Sequence, residues 1–165
     1  MEIRDAAAFV QYWRGIRHRT ERVLDVVPAE HFDWRPAPGR FSFADTARHL
    51  GAIERWMFAE NVRGRPSRYP GHGVELADGM EEVRAYLRRM HEEAVAIFGA
   101  LRAEDLEARC LTPAGAAMRA WKWLRAMVEH EVHHRGQVYG MLGLLGVPTP
   151  PLYGLTSEQV RERSV

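Results

Sequence analysis

A single cysteine, Cys110, is all that the 165 residues contain, so no internal disulfide can form. One thiol suits a reducing compartment, and a cytoplasmic location is expected. Excess charge of one sign is also missing. The 23 basic and 22 acidic residues leave +1, which implies no general attraction to nucleic acid or to an anionic membrane. The basic run Arg14, Arg17, Arg19 and Arg22 therefore reads as a solvated helix face. No stretch approaches the ~20 apolar residues that span a bilayer. The opening MEIRDAAAFVQYW carries acids early and no long apolar core, so no signal peptide is expected. Strand-like alternation of useful length and internal repeats are lacking as well.

What is present is helical periodicity broken by Pro and Gly. The length predicts one domain, residues 1–165, with a real core. A first helix is expected from Asp5 to Val27, with Phe9, Trp13, Ile16, Thr20, Val23 and Val27 at helical spacing and Pro28 as the stop. Ser42 can cap a second helix, Phe43 to Val62, with Asp45 at the capping-box position. Its inner face is expected to carry Thr46, His49, Ile53, Trp56, Met57 and Glu60. The loop RGRPSRYPGHGVELADG is long enough to border a site or to be mobile; His72, between two glycines, reads as exposed. Asp78 and Glu81 offer another capping box for a third helix ending near Leu101, with His91 at the rim of its apolar stripe. The last long helix is expected from Met118 to Gly146, and Thr156 or Ser157 can cap a short turn beyond it. Four long amphipathic segments predict an all-α, four-helix bundle.

EHEVHHRGQ, residues 129–137, concentrates three of the eight histidines. At about 100° per residue, His130 and His134 lie about 40° apart and interrupt the apolar stripe of Trp123, Met127, Val138, Met141 and Leu145. His133 points about 60° the other way, to a more polar rim. Buried imidazoles need partners, because an unpaired buried polar group costs about 1–3 kcal/mol. Two imidazoles one turn apart can share an ion, and His49 on a facing helix is the candidate third ligand. Three nitrogens leave coordination positions open for water or substrate, as in a reactive site. The alternative, two satisfied core histidines, stays open at this point. His130, Glu131 and His134 also match the peptidase spacing H-E-x-x-H. Glu131, about 100° from His130, is instead expected to pair with Arg135 at i+4 in a structural role.

DWRPAPGRFSFADTARHLGAIERW and EHEVHHRGQVYGMLGLLGVPTPPLYG together resemble the DinB-like (DinB/YfiT-like) family. The first stretch matches the family's Trp-Arg-Pro entry and the His-Leu of its second helix, the other its last-helix H-x-x-H-H-R-G-Q. The resemblance covers nearly the whole chain. It implies a four-helix bundle of up-down-down-up type, often a homodimer, with metal ligands at His49, His130 and His134 and a divalent ion such as zinc or nickel. Some relatives are S-transferases using low-molecular-weight thiols, others isomerise or hydrolyse small molecules. The implied nucleophile is a water or thiol on the ion, with Gln137 and Glu131 as candidate helpers. Gln137 either bonds a ligand histidine or is a buried amide with a backbone partner. Glu129, Glu131 and Asp45 are candidate acceptors for the histidines' second nitrogens. Trp34, Trp56, Trp121 and Trp123 either line a mouth over the ion or fill the core. A second apolar side of the last helix, Leu124, Val128, Val132 and Leu142, is compatible with a dimer contact.

Overall fold

Asp5 opens the first helix by accepting a hydrogen bond from the Ala8 amide at 2.6 Å, which satisfies one of the free N–H groups at the start of α1 (Ala6–Leu24). The structure, a computed structural model, describes residues 2–164. Ser42 and Asp45 form the expected reciprocal box at the start of α2 (Phe43–Ile53). This helix continues through a π-helical turn, Glu54–Phe58, into a last α-turn, α3 (Ala59–Asn61). The extra residue in that turn rotates everything beyond it. Phe58 becomes buried, while Trp56 and Met57, expected on the inner face, are only half-buried; Glu54, at the start of the turn, is buried as well.

The third long helix, α4 (Met80–Gly99), does not use the expected Asp78–Glu81 box. Gly79, at φ +77°, caps it, and Glu82 reaches back to the Asp78 amide at 3.3 Å. Gly51 lets α4 approach α2: a Cβ there would stand 3.3 Å from the Leu87 Cα.

Two short elements were not foreseen. The helix α5 (Ala103–Glu107) leads into an antiparallel hairpin, β1 (Arg109–Leu111) and β2 (Ala117–Arg119), with Cys110 opposite Met118. Strands this short show too few alternations to be recognised from pattern alone. Because β2 occupies Met118, the last long helix, α6 (Ala120–Leu144), starts two residues later than expected. Gly146, at φ +68°, ends it, with the Val147 amide turned back to the Leu142 carbonyl at 3.0 Å. The tail forms α7 (Ser157–Arg163), capped by Thr156 with Gln159.

The chain is thus mostly helical with one small sheet. Helix α2 packs on α4 and α6, and α1 packs on α4 and α6. The core falls into two apolar groups. One includes Leu24, Phe43, Leu50, Leu87 and Leu142, the other Phe9, Trp13, Phe98, Leu106 and Leu124. Between these groups along the helices sit buried polar residues: Arg17 on α1, Glu54 in the π-turn, His91 on α4 and Glu131 on α6.

This polar layer corrects three expectations. Arg17 is not on a solvated face: its side chain is 1% exposed, with Nη2 2.5 Å from Glu54 Oε2 and 3.3 Å from Glu131 Oε2. A charged residue survives inside only with such partners. His91 is buried rather than at the rim, with Nδ1 2.9 Å from Glu54 Oε1. Glu131 pairs with Arg17, not Arg135, whose Nη1 donates to the Ile16 carbonyl at 3.3 Å. Among the described residues no helix is long and apolar enough to cross a membrane.

Candidate metal centre

Helix α2 delivers His49, and one turn of α6 delivers His130 and His134, to a common point. One ring nitrogen from each lies within 4.8 Å of the others. His130 Nε2 is central, 3.1 Å from His49 Nε2 and 3.2 Å from His134 Nε2. His49 is buried; His130 and His134 are half-buried.

The outer nitrogens of His49 and His134 are occupied. His49 Nδ1 lies 2.7 Å from the Tyr69 hydroxyl, and His134 Nδ1 lies 2.8 Å from Gln137 Oε1. An amide oxygen can only accept, so His134 carries its proton on Nδ1 and turns the Nε2 lone pair inward. The Gln137 amide nitrogen then donates to His133 Nε2 at 3.0 Å. Burial pushes the Tyr69 phenol up to about 12, so it stays a neutral hydroxyl. It accepts the His49 Nδ1 proton and directs its own O–H toward His72 Nδ1, 3.4 Å away.

All three clustered histidines are held in the neutral form. Burial, reinforced by the neighbouring imidazoles, lowers His49 to about 3 and His130 to about 4. Burial also lowers His134, partly opposed by its bond to Gln137. Neutral imidazoles with converging lone pairs are the form that binds a cation and repels a proton. The spacing fits an ion as well. Nitrogens 2.0–2.1 Å from a tetrahedral zinc stand about 3.3–3.4 Å apart. The two Nε2 separations given above, 3.1 and 3.2 Å, are shorter than this by only one to three tenths of an ångström.

Several sequence expectations resolve differently here. Gln137 is exposed and bonds two histidines, rather than being a buried amide with a backbone partner. Tyr69 and Gln137, not Glu129, Glu131 or Asp45, meet the outer nitrogens. Asp45 is committed to the helix cap and to Arg35 and Arg48. Glu131 faces Arg17 in the interior, away from the histidine cluster. His72 is half-buried, its ring 4.1 Å from that of Phe41, rather than freely exposed.

Tyr69, His72 and Phe41 are site residues that periodicity could not reveal, because all three lie in loops. The only hint was the unusual length of the loop after α3. Buried Arg48, next to His49 in sequence, fastens that loop by donating to the His72 carbonyl at 2.9 Å and the Ala77 carbonyl at 3.0 Å.

A trough of about 530 Å³ opens beside the cluster, with His134, Gln137, Phe41 and Met141 among its walls. No tryptophan lines it. Trp34 stacks on Phe43, Trp121 is buried, and Trp123 packs on Phe58 with its indole N–H 3.2 Å from Asn61 Oδ1. Trp56 lies under the Arg55 guanidinium.

Comparison with known proteins agrees with the helical architecture. Residues 12–138 match the sequence model of the DinB superfamily. An uncharacterised protein of Bacillus subtilis (strain 168), YjoA, is 23% identical over 150 residues, covering 87% of this chain and 93% of that one. The crystal structure of YjoA, described as a DinB-like protein, superposes with a TM-score of 0.71 at 19% identity, over 88% of this chain and 96% of that one. A DinB-like protein from Bacillus cereus gives a TM-score of 0.67 at 21% identity, over 87% and 94%. At these identities the structural likeness speaks for the fold.

Proposed function

The chain belongs to the DinB superfamily, and from that premise we propose that it is a metal-dependent enzyme acting on small molecules, of thiol-transferase or hydrolase type. In this reading His49, His130 and His134 hold a divalent cation, zinc or nickel, on a four-helix bundle of up-down-down-up type. One observation carries it: three neutral imidazoles turn their Nε2 atoms to one point at 3.1 and 3.2 Å, and two of them are fixed there through their outer nitrogens. Core histidines that only needed satisfying would not converge so closely.

A cation held by three imidazoles acts as a Lewis acid and lowers the pKa of water to ~7, or holds a thiol as thiolate. The protein's own groups do the rest. Tyr69 and Gln137 set the tautomers and ring orientations. Arg48 keeps the Tyr69–His72 loop over His49, which limits water on that side. The trough beside His134 provides room for a substrate next to the open side of the cluster. That space favours turnover over an ion that merely braces the helices. A peptidase of the H-E-x-x-H kind would need Glu131 beside the ion, and its burial against Arg17 speaks against that reading.

The test is metal analysis of protein purified without a histidine tag, followed by a screen for metal-dependent consumption of thiols or hydrolysis of small esters. We expect zinc or nickel near one equivalent. His49→Ala should weaken binding by more than the about 10–100-fold that follows loss of an outer partner, whereas Glu131→Gln should retain the ion. Failure of the purified protein to bind either metal at micromolar concentration would refute the proposal. Metal binding without turnover in the screen would favour the bracing role.

A further inference from the structure

The trough beside His134 has a one-signed charge pattern. Its floor and walls are largely apolar, with Phe41, Met141 and Leu144 prominent, and one formal charge lines it: Arg40. No acidic side chain lines the trough, and Arg40 has no carboxylate within ion-pair distance among the described residues. Its neighbours differ in this respect. Arg35 and Arg48 both engage Asp45. The turn at Gly39, at φ +73°, carries the chain round to Arg40 and Phe41, with the Arg40 amide donating to the Ala37 carbonyl at 3.2 Å. Phe41 in turn lies parallel to the His134 ring, at 6.3 Å between centroids and 7° between planes. Arg40 and His134 thus line one trough together with Phe41, the chain neighbour of the first and the ring stacked on the second.

We propose that this trough binds a small molecule with an apolar or aromatic body and a carboxylate, the carboxylate on Arg40 and the body along Phe41, Met141 and Leu144. A planar guanidinium recognises a carboxylate through two parallel N–H···O bonds, and an apolar concave wall strengthens that attraction relative to open water. Gly140 faces the same space, and a Cβ built on it meets nothing within 4 Å, so the α6 side of the trough has room for a bound group. This assignment deepens the proposed function by naming a substrate class for the same site. The anchoring group lies outside the ligand set, so the proposal is testable with and without metal.

The probes are 3-phenylpropanoate and its uncharged isostere 3-phenylpropanamide, titrated into zinc-loaded and zinc-free protein and followed by amide chemical shifts. We expect the carboxylate to bind about tenfold tighter than the amide in both forms, with the largest shifts near Arg40, Phe41 and Gly140. Arg40→Ala should remove the preference and Arg40→Lys should retain part of it, while zinc affinity stays as in the parent protein. A preference that survives Arg40→Ala but disappears with zinc would place the carboxylate on the ion and overturn the proposal. Equal binding of the two probes, or none, would also overturn it. Zinc affinity is measured separately, so failure of the metal reading alone leaves the zinc-free result standing.

Discussion

Replacing Tyr69 by Phe removes one hydroxyl and keeps the ring that packs against the apolar cluster around α2 and α4. In the parent protein that hydroxyl is 2.7 Å from His49 Nδ1, on a side chain only 9% exposed. Without it, the imidazole is no longer bound to the tautomer that presents Nε2, and its Nδ1–H is left buried without an acceptor. Loss of such an outer partner typically weakens metal affinity by about 10–100-fold, equivalent to about 1.4–2.7 kcal/mol. We therefore expect zinc affinity of Tyr69→Phe to fall within that range. A chromophoric chelator in competition would measure it, and nitrogen chemical shifts of the His49 ring would report the tautomer in the metal-free protein. His72→Ala should cost less, because the His72 ring bonds the Tyr69 hydroxyl at the longer distance of 3.4 Å and meets the His49 ring only edge-on, at 6.3 Å between centroids. Zinc affinity within about twofold of the parent, with an unchanged His49 tautomer, would refute the assigned role of Tyr69.

Metal-free protein should lose stability on mild acidification. His49 at about 3 and His130 at about 4 lie below the ordinary 6.5, so the unfolded chain takes up protons first as pH falls. The loss should begin near pH 6.5, reach roughly 2–4 kcal/mol between pH 7 and 5, and level off only below the folded-state values. Urea melts across that range would show it, and a flat profile would contradict the buried, neutral state of both rings. In the polar layer, Glu54→Gln should cost about 3 kcal/mol, because Glu54 meets Arg17, Trp13 and His91 together. Glu131→Gln should cost less: burial, opposed by Arg17 but aided by the nearby Glu54, raises its carboxyl and makes its charge the less favoured of the two. Urea melts of both variants would test the order, and the reverse order would overturn it.

How much of this was legible in the sequence depended on how far periodicity reached. Ser42 with Asp45 announced a helix start correctly, and Thr156 proved to be the cap of the two candidates Thr156 and Ser157, because capping is a local matter of one side chain and two amides. One inward side of α6, that of Met127, His130, His134, Val138 and Met141, was readable because 3.6-residue phase holds over a long regular helix, whereas Leu124 and Leu142, read as a side suited to a dimer contact, are buried in the core. The same arithmetic failed after Ile53, where the π-turn added a residue to one turn and moved Phe58 inward. Nothing in ERWMF advertises that change; the turn packs on α4 and α6 and offers Glu54 to Trp13 and Arg17 of α1, all distant in sequence. Arg17 was misread for a related reason. An arginine among arginines reads as solvent-facing unless its partners are known, and Glu54 and Glu131 lie 37 and 114 positions away. Tyr69 and Gln137 meet the outer nitrogens of His49 and His134, yet Tyr69 sits in a loop whose course no repeat dictates.

The polar layer and the histidine cluster are two consequences of one arrangement on α6. Glu131 and Arg135 lie about 100° and 140° round from His130, so one stripe of the helix faces α1 while the neighbouring stripe faces α2 and the loops. An apolar replacement for the Arg17 layer could stabilise the interior as well or better, since desolvating three charges is costly. What the layer adds is register. A single guanidinium nitrogen meets Glu54 and Glu131 together, at 2.5 and 3.3 Å, only at one axial offset between the π-turn and α6. His49 lies five residues before the first of these carboxylates and His130 one residue before the second. Sliding α2 along α6 by one α-helical residue, about 1.5 Å, would part the carboxylates from Arg17 and the Nε2 atoms from one another in the same movement. The offset that lets one arginine serve two helices is therefore the offset that brings the imidazoles to 3.1 Å.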